Sequence, residues 1–398
     1  MKILELNVVT NGSTGRIACA LARRMTDAGQ EARVFYGRGG DAAGVDCVRV
    51  TGEASVLRHA LSARLFDRAG FKSRAATRRL IRLIGQEKPD LLHLHNLHGY
   101  WLDVETLFDF LRSAGLPVVW TLHDAWPMTG HCAYPELALC TRYRSHCADC
   151  PLLSEYPESF IDRSARNFER KRAAFTGVEG LHLVTPSRWL AEVVKHSYLG
   201  EYPVTVIENG ISRDAFRPTE SNLRERYGLV GKRVLLGCAG VWDRRKNLDG
   251  YLELAERLGA DDRLVLLGLD GKQIASLPDG VLGLMRTEST EELAQWYTAA
   301  DVFVDLTLAE NFPTTHLEAM QCGTPVATYA TGGSAEMLDE TTGAWVETGD
   351  LDGLLGAIER AAACRREDCI RRAAYFTDER MNAAYFTLFE TIMEGRTE

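Results

Sequence analysis

Short apolar runs alternate with amphipathic stretches along almost the whole chain. The run from Lys2 to Thr10 predicts a buried strand, and after it Ile17, Leu21 and Met25 recur at helical spacing. The alternation then repeats, which is typical of crossover units that place parallel strands in one sheet. Further strands are predicted at 33–36, 91–94, 118–122, 181–185 and 204–207, and in a second series at 234–238, 264–267, 302–305 and 325–329.

The two series predict two doubly wound α/β domains, an N-terminal one over 1–205 and a C-terminal one over 206–377. A final helical segment, 378–398, can pack on either domain, the N-terminal one included. Open parallel sheets bind ligands outside the carboxyl ends of their strands. Two such sheets facing one another would share a site in the cleft, so we expect function in the loops that follow the strands.

Composition excludes several classes of protein. Of 398 residues, 45% are hydrophobic and 25% are charged, which rules out a largely disordered chain, a fibrous protein and a polytopic membrane protein. The net charge of −9 argues against a nucleic-acid partner. The first residues lack the apolar core of a signal peptide, so the expected location is the cytoplasm.

The strongest candidate for chemistry is the segment Glu310–Val326, which follows the predicted strand 302–305. Glu310 lies before a predicted helix and Glu318 lies inside it. The unpaired N–H groups of a first helical turn form an anion site, and carboxylates beside it can accept hydrogen bonds from sugar hydroxyls. Taken alone, the two glutamates are weak evidence of a site, and one surface residue plus one capping residue is the simpler interpretation.

With its flanking residues, Glu310–Val326 resembles the donor-binding signature of glycosyltransferase family 4, the retaining enzymes of GT-B fold. The resemblance extends over essentially the whole chain. It includes Gly12-Ser13-Thr14-Gly15, Thr121-Leu122-His123-Asp124, the segment 206–211, Arg245-Lys246-Asn247 and the segment 332–336. The segment 96–101 and a cysteine-rich loop resemble the subgroup of bacterial exopolysaccharide and O-antigen biosynthesis.

The resemblance implies a role for each matched residue. Glu310 would contact the transferred sugar, Glu318 the ribose of the donor nucleotide, and Lys246 the departing diphosphate, where charge develops. The arginine that usually accompanies this lysine is replaced by Gly240, so Arg244 or Arg245 is expected to substitute. His123 would contact the donor sugar as a third catalytic residue. The other expected donor-binding residues are Gly12, Gly15, Asn311, Phe312, Pro313 and Thr314.

The implied reaction is transfer, with retention, from a nucleoside diphosphate sugar to a glycan or lipid-linked oligosaccharide. UDP-sugars are favoured as donors and GDP-sugars remain an alternative. The acceptor would attack from the face of the leaving group, whose phosphate takes the proton, so neither a side-chain nucleophile nor a catalytic metal is expected. Two other functions stay open: a nucleotide-sugar epimerase or hydrolase, and a zinc-containing binding protein without catalysis.

Four of the ten cysteines lie close together, at Cys132, Cys140, Cys147 and Cys150. The last two have the spacing that lets two thiolates bind one tetrahedral ion, and a structural zinc is the preferred interpretation. An iron–sulfur cluster and free thiols are the alternatives, whereas disulfides are disfavoured in a reducing compartment.

A basic segment, 56–84, contains eight Lys or Arg residues and one acid, Asp67. Leu57, Leu61, Leu65 and Phe66 recur in it at helical spacing, as do Leu80, Leu83 and Ile84. Such a segment could bind an anionic lipid surface, which would place the protein at the inner face of the membrane. The alternative is a solvated basic face over an ordinary core.

Overall fold

The computed structural model describes residues 1–395 and divides into two compact units. The first unit is Met1–Ile207 together with the described residues from Asn382 onward, and the second is Glu208–Met381. The chain passes from the second unit to the first inside its last helix. Of the predicted helical segment 378–398, residues 396–398 lie outside the described residues.

The first unit is built on a parallel sheet of seven strands in the order β3-β2-β1-β4-β5-β6-β7. Its strands are β1 (Lys2–Asn7), β2 (Glu31–Tyr36), β3 (Cys47–Arg49), β4 (Leu91–Leu94), β5 (Val118–Thr121), β6 (Leu181–Thr185) and β7 (Val204–Val206). Its helices are α1 (Gly12–Asp27), α2 (Glu53–Phe66), α3 (Arg74–Glu87), α4 (Val104–Ala114), α5 (Ser164–Phe175) and α6 (Arg188–Lys195). The central strands are buried along their whole length, as expected when helices cover both faces of a sheet.

The second unit has a parallel sheet of six strands in the order β10-β9-β8-β11-β12-β13. Its strands are β8 (Arg233–Cys238), β9 (Asp262–Leu267), β10 (Val281–Leu284), β11 (Val302–Asp305), β12 (Val326–Tyr329) and β13 (Gly343–Val346). Its helices are α7 (Leu223–Arg226), α8 (Leu248–Ala255), α9 (Gly271–Ala275), α10 (Thr290–Ala299), α11 (Thr314–Gln321), α12 (Leu351–Ala362) and α13 (Arg366–Ala373). The last helix of the chain is α14 (Asp378–Glu394).

The part of α14 that belongs to the first unit packs against the centre of the seven-stranded sheet. Its Tyr385 hydroxyl lies 2.9 Å from the hydroxyl of Thr121, and the Phe389 ring contacts the His93 ring edge-on. Burial raises the pKa of Tyr385, so the phenol stays neutral. The C-terminal helix therefore completes the core of the N-terminal unit.

Candidate functional site

The order of strands places one candidate site at the centre of the six-stranded sheet. β8 and β11 are neighbours there, but the chain leaves β8 toward one edge and returns to β11 before it builds the other. At such a switch point the loops that follow the two strands diverge and leave a crevice. Lys246 lies in the loop after β8, in a short 3-10 helix over Arg244–Lys246, and Glu310 lies in the loop after β11.

Glu310 pairs with two cations. Its Oε2 atom accepts hydrogen bonds from Lys246 Nζ at 2.9 Å and from Arg245 Nη1 at 3.0 Å. Burial alone would raise the pKa of Glu310, but the charges of Lys246 and Arg245 outweigh it and lower the pKa to about 2. The carboxylate is therefore ionised at any physiological pH. Of the two arginines considered as substitutes, Arg245 is the one that contacts Glu310, and Arg244 is exposed.

A second carboxylate, Asp305, supports this pair from the end of β11. It is buried, and its Oδ2 atom lies 2.9 Å from Nε2 of His316. Its Oδ1 atom accepts the backbone N–H and the hydroxyl of Thr307, and that hydroxyl also accepts from Lys246 Nζ at 3.3 Å. Burial opposes ionisation, yet Lys246 and His316 hold the pKa of Asp305 well below its usual range. Asp305 and His316 were not predicted from the sequence as site residues.

Glu318 lies inside α11 and is buried, with its Oε2 atom accepting from the Tyr297 hydroxyl at 3.0 Å. Asn311 and Phe312 are also buried, and Pro313 caps the helix that begins at Thr314. The expected donor-binding residues 310–314 thus form one connected loop and helix start. Tyr297 was not predicted from the sequence.

A second cluster lies at the centre of the seven-stranded sheet, where β1 and β4 are neighbours at the corresponding switch point. Glu5 of β1 is fully buried, and its Oε2 atom lies 2.8 Å from His93 Nδ1 and 2.9 Å from His95 Nε2. His95 Nδ1 in turn lies 3.0 Å from Nε2 of His123. The sequence-predicted His123 is therefore the outer member of a buried chain of groups.

The hydrogen bonds assign a tautomer to His123. Burial lowers the pKa of His95 to about 4 and that of His123 well below 6.5, so both rings are neutral at pH 7. Burial also opposes the charge on Glu5, but His93 and His95 lower the pKa of Glu5 below its usual value. An ionised carboxylate only accepts, so His95 donates from Nε2 and accepts at Nδ1. His123 consequently donates from Nε2, which makes Nδ1 the acceptor nitrogen of its ring.

The Glu5 cluster could also hold a cation. One potential ligand atom from each of Glu5, His93 and His95 lies within 4.8 Å of the others. His95 Nε2 is hydrogen-bonded to Glu5, whereas His93 Nδ1 and Glu5 Oε1 are buried and have no hydrogen-bond partner within residues 1–395.

The glycines after β1 have different surroundings. Gly12 has a φ of +68°, which favours glycine, and open space where a side chain would begin. A Cβ atom on Gly15 would lie 2.5 Å from the carbonyl carbon of Thr10 and 2.8 Å from the carbonyl oxygen of Val9. The chain's own backbone therefore requires glycine at position 15, whether or not a ligand approaches.

The residues of the polar loop after β4 have two different kinds of surroundings. Trp101 is fully buried in the main core of the first unit. His98, by contrast, lies between two polar partners, with Nε2 at 2.9 Å from Asp124 Oδ2 and Nδ1 at 2.8 Å from the Tyr156 hydroxyl. Asp124 directly follows His123 in the loop after β5. Hydrogen bonds therefore join this loop to both His95 and His98, the two histidines that follow β4.

The apolar residues of the basic segment 56–84 also have two different kinds of surroundings. Leu80 and Ile84 of α3 are buried in the core. The apolar residues of α2 are exposed instead: Leu57 by 62%, Leu61 by 51%, Leu65 by 45% and Phe66 by 43%. We call these four residues the α2 face. No helix within residues 1–395 is long and apolar enough to cross a bilayer.

Comparison with known proteins agrees with this fold. A solved sucrose-phosphate synthase from Thermosynechococcus elongatus has a TM-score of 0.72 at 17% identity, covering 99% of both chains. HepE from Anabaena, solved in complex with UDP, has a TM-score of 0.70 at 16% identity, covering 98% of this chain and all of the other. The α/β class and GT-B fold predicted from the sequence are confirmed.

Sequence relatives identify the family. A protein of Escherichia coli K12 named as a colanic acid biosynthesis glycosyl transferase, WcaC, is 26% identical over 363 residues, which cover 86% of each chain. Residues 232–363 match the family described as glycosyl transferases group 1. Residues 14–215, half of the chain, match the family described as Glycosyltransferase Family 4. The chain is a glycosyltransferase and belongs to glycosyltransferase family 4.

Proposed function

We propose that this enzyme transfers a sugar, with retention, from a nucleoside diphosphate sugar to a glycan or lipid-linked oligosaccharide during synthesis of a bacterial polysaccharide. The observation that carries the proposal is Glu310, held by Lys246 and Arg245 at the switch point of the six-stranded sheet. The complex of HepE with UDP supports a uridine nucleotide as donor, with GDP-sugars second. The name of the WcaC relative supports an exopolysaccharide product.

The two cations supply what the leaving group requires. As the bond between the sugar and the diphosphate breaks, negative charge accumulates on the phosphate oxygens. The ammonium of Lys246 and the guanidinium of Arg245 are fixed in place before any ligand arrives, so they stabilise that charge without reorganisation. Glu310 itself is ionised and can accept hydrogen bonds from the sugar hydroxyls, and Glu318 can accept from the ribose.

The acceptor needs no side-chain nucleophile in this proposal. Its oxygen attacks the anomeric carbon from the face that the diphosphate leaves, and its proton passes to the departing phosphate oxygen. The neutral His123, with Nδ1 as acceptor, orients a sugar hydroxyl rather than taking the proton. Because the cations are side chains, turnover is expected to continue in EDTA.

The experiment begins with binding. UDP and GDP are compared by thermal shift, since a ligand bound only by the native state raises the melting temperature. UDP-sugars and GDP-sugars are then incubated with lipid-linked oligosaccharide acceptors, and the anomeric configuration of the product is read by NMR. An α-linked product from an α-linked donor is the expected result. Inversion would overturn the retaining mechanism, and epimerised or hydrolysed donor at productive rates without acceptor would favour the epimerase or hydrolase alternative.

We also propose that the enzyme works at the cytoplasmic surface of the membrane, docked through the α2 face. The four apolar residues are accompanied by basic ones: Arg58, Arg68 and Lys72 line the same surface groove as Leu61 and Leu65. An exposed apolar face ringed by cations is complementary to an anionic lipid surface. Such docking would bring the enzyme to a lipid-linked acceptor.

Sedimentation with phosphatidylglycerol vesicles at low salt tests this docking. The double variant Leu61→Ser/Leu65→Ser should lose most of the binding, while Val230→Ser, an equally exposed apolar residue of the other unit, should retain it. Failure of the wild-type enzyme to bind the vesicles would overturn the docking proposal and leave the proposed reaction untouched.

A further inference from the structure

The segment between β5 and α5 lacks the strands and α-helices from which the rest of the unit is built. Residues 124–163 are all described, and they form no strand and no α-helix, only 3-10 helices at Trp126–Met128, Pro135–Ala138 and Arg142–Arg144. Long irregular segments are uncommon inside compact domains unless something specific orders them. The cysteine cluster lies in this segment.

The fold brings the four clustered cysteines to one place. Cys132, Cys140, Cys147 and Cys150 all line a single cavity of about 10 Å³, enough for one small ion or water. Cys132 and Cys147 are buried, Cys140 and Cys150 are half-buried, and all four carry free thiols. Cysteines that lie 8 and 18 positions apart along the chain therefore line the same small cavity.

An independent observation points into the same cavity. His131 lines it and is only 2% exposed. Its Nδ1 atom lies 2.7 Å from Asp67 Oδ1, whereas its Nε2 atom is buried and has no hydrogen-bond partner. A buried polar atom without a partner is costly, so a further group is expected in the cavity. The Asp67–His131 arrangement is also typical of the surroundings of protein-bound metals, where a carboxylate fixes a histidine ring.

We propose that Cys132, Cys140, Cys147 and Cys150 bind one structural zinc ion. The close pair Cys147-x2-Cys150 and the set of four sulfur donors match the ligand chemistry of closed tetrahedral zinc sites. Within residues 1–395 no three of these sulfurs lie within 4.8 Å of one another, so zinc binding would draw them together. Zinc supplies the crosslinks that the irregular segment lacks. His131 lines the same cavity, and because its Nδ1 donates to the Asp67 carboxylate, its Nε2 is an acceptor; it is the one side chain beside the four cysteines that could take the place of a sulfur.

The position of the site gives it a consequence for the loops after β4 and β5. The zinc-bound segment begins after Asp124 and is followed by Tyr156, and these two residues hold His98 from its two sides. Its far end is attached to α2, because the N–H of Phe160 and the hydroxyl of Ser159 donate to the carbonyl of Arg64. Loss of zinc would therefore release the contacts that position His98.

The test measures metal directly in full-length protein purified without a metal-affinity tag. Elemental analysis should find one zinc per chain, and a mercurial reagent that titrates thiols should release it completely. Cobalt substitution should give the intense sulfur-to-cobalt charge transfer of a four-thiolate site. Cys150→Ser should lose the bound zinc, while Cys47→Ser, a similarly half-buried cysteine of the same unit, should keep one equivalent.

The wild-type measurements keep the proposal testable even where Cys150→Ser fails to fold. Absence of metal, an iron–sulfur absorption spectrum, or zinc that survives Cys150→Ser would overturn it. A cobalt spectrum of three thiolates and one nitrogen, abolished by His131→Ala, would replace one cysteine by His131 and overturn the four-cysteine assignment. These outcomes are independent of glycosyl transfer, so the proposed reaction can fail without affecting them.

Discussion

Replacing Glu310 by Gln should separate donor binding from turnover. The substitution keeps the size of the side chain but removes the charge that Lys246 and Arg245 share. The pKa of Glu310 falls from 4.5 to about 2, and at 1.36 kcal/mol per pKa unit its ionised form gains about 3 kcal/mol in the folded protein. That gain is the net of an opposing burial effect, so the attraction of the two cations is larger still.

The same attraction acts on the cations. While Glu310 neutralises them, they attract a diphosphate less strongly than free cations would. If Glu310→Gln releases half of the net interaction, about 1.5 kcal/mol, the affinity for UDP should rise by slightly more than about tenfold. Transfer should fall instead, by about a hundredfold or more, because the carboxylate that would contact the sugar is lost.

Calorimetry with UDP and a steady-state transfer assay measure the two effects separately. Glu347→Gln, an exposed glutamate of the same unit, is the matched control and should change neither. The folded pKa of Glu310 is lowered, so its stabilising effect is complete above pH 4.5 and is lost as the pH falls toward 2. Within a pH range of about 5–9 the UDP affinity of the wild type should therefore show no titration of Glu310. Weaker UDP binding by Glu310→Gln, or unchanged transfer, would refute the reasoning.

Three further substitutions probe the buried groups. Glu5→Gln should lower kcat by about tenfold with little change in UDP affinity, since it disturbs the orientation of His123 and not the binding of the donor phosphates. Partial recovery of kcat by Glu5→Asp would separate positioning of His123 from misfolding. An unchanged kcat would contradict the positioning role of Glu5. Gly15→Ala should lower the free energy of unfolding in urea by about 1–3 kcal/mol, because its Cβ atom would collide with the backbone. Gly85→Ala is the control: open space surrounds its Cβ position in α3, so the free energy of unfolding should stay unchanged or rise by up to about 1 kcal/mol. Equal effects of the two substitutions would contradict the steric explanation. Asp305→Asn should lower the free energy of unfolding by about 1.5–3 kcal/mol at pH 7. The loss should shrink as the pH falls below 3.8, because the carboxylate of Asp305, whose pKa is lowered, stabilises the fold only while it is ionised. A difference from the wild type that is independent of pH would argue against this role of the ionised Asp305.

The central strands could be predicted because they are buried on both faces. β4, β6 and β11 begin and end where the apolar runs predict. The strands that the pattern missed are β3, β10 and β13, and all three lie at edges of their sheets. Edge strands are short and half-buried, and β10 and β13 contain glycine, so they lack the continuous apolar run that identified the others.

Residues of the candidate site could be named from the sequence where they belong to segments with a recognisable order of residues, namely loops and the first turns of α11. Glu310 and Lys246 belong to segments with a recognisable order of residues. Asp305 ends a strand and Glu5 lies inside one, so both were absorbed into the apolar runs around them. A signal was nevertheless present, because a carboxylate within a run that predicts complete burial must have a partner. His93, on the neighbouring strand, and His95, directly after that strand, are the partners of Glu5.

The two kinds of position have different consequences for mutation. Loop residues such as Glu310 can be exchanged without exposing a core, so their variants should fold and report on chemistry. Glu5 and Asp305 each compensate at least one buried base or cation, so that removing either carboxylate leaves the partner unpaired inside the protein. Variants of these supporting residues should therefore lose activity and stability together. Glu310 also gains about 3 kcal/mol from its two cations, so its variants should be distinguished from those of the buried acids by tighter UDP binding combined with slower transfer, and not by full stability.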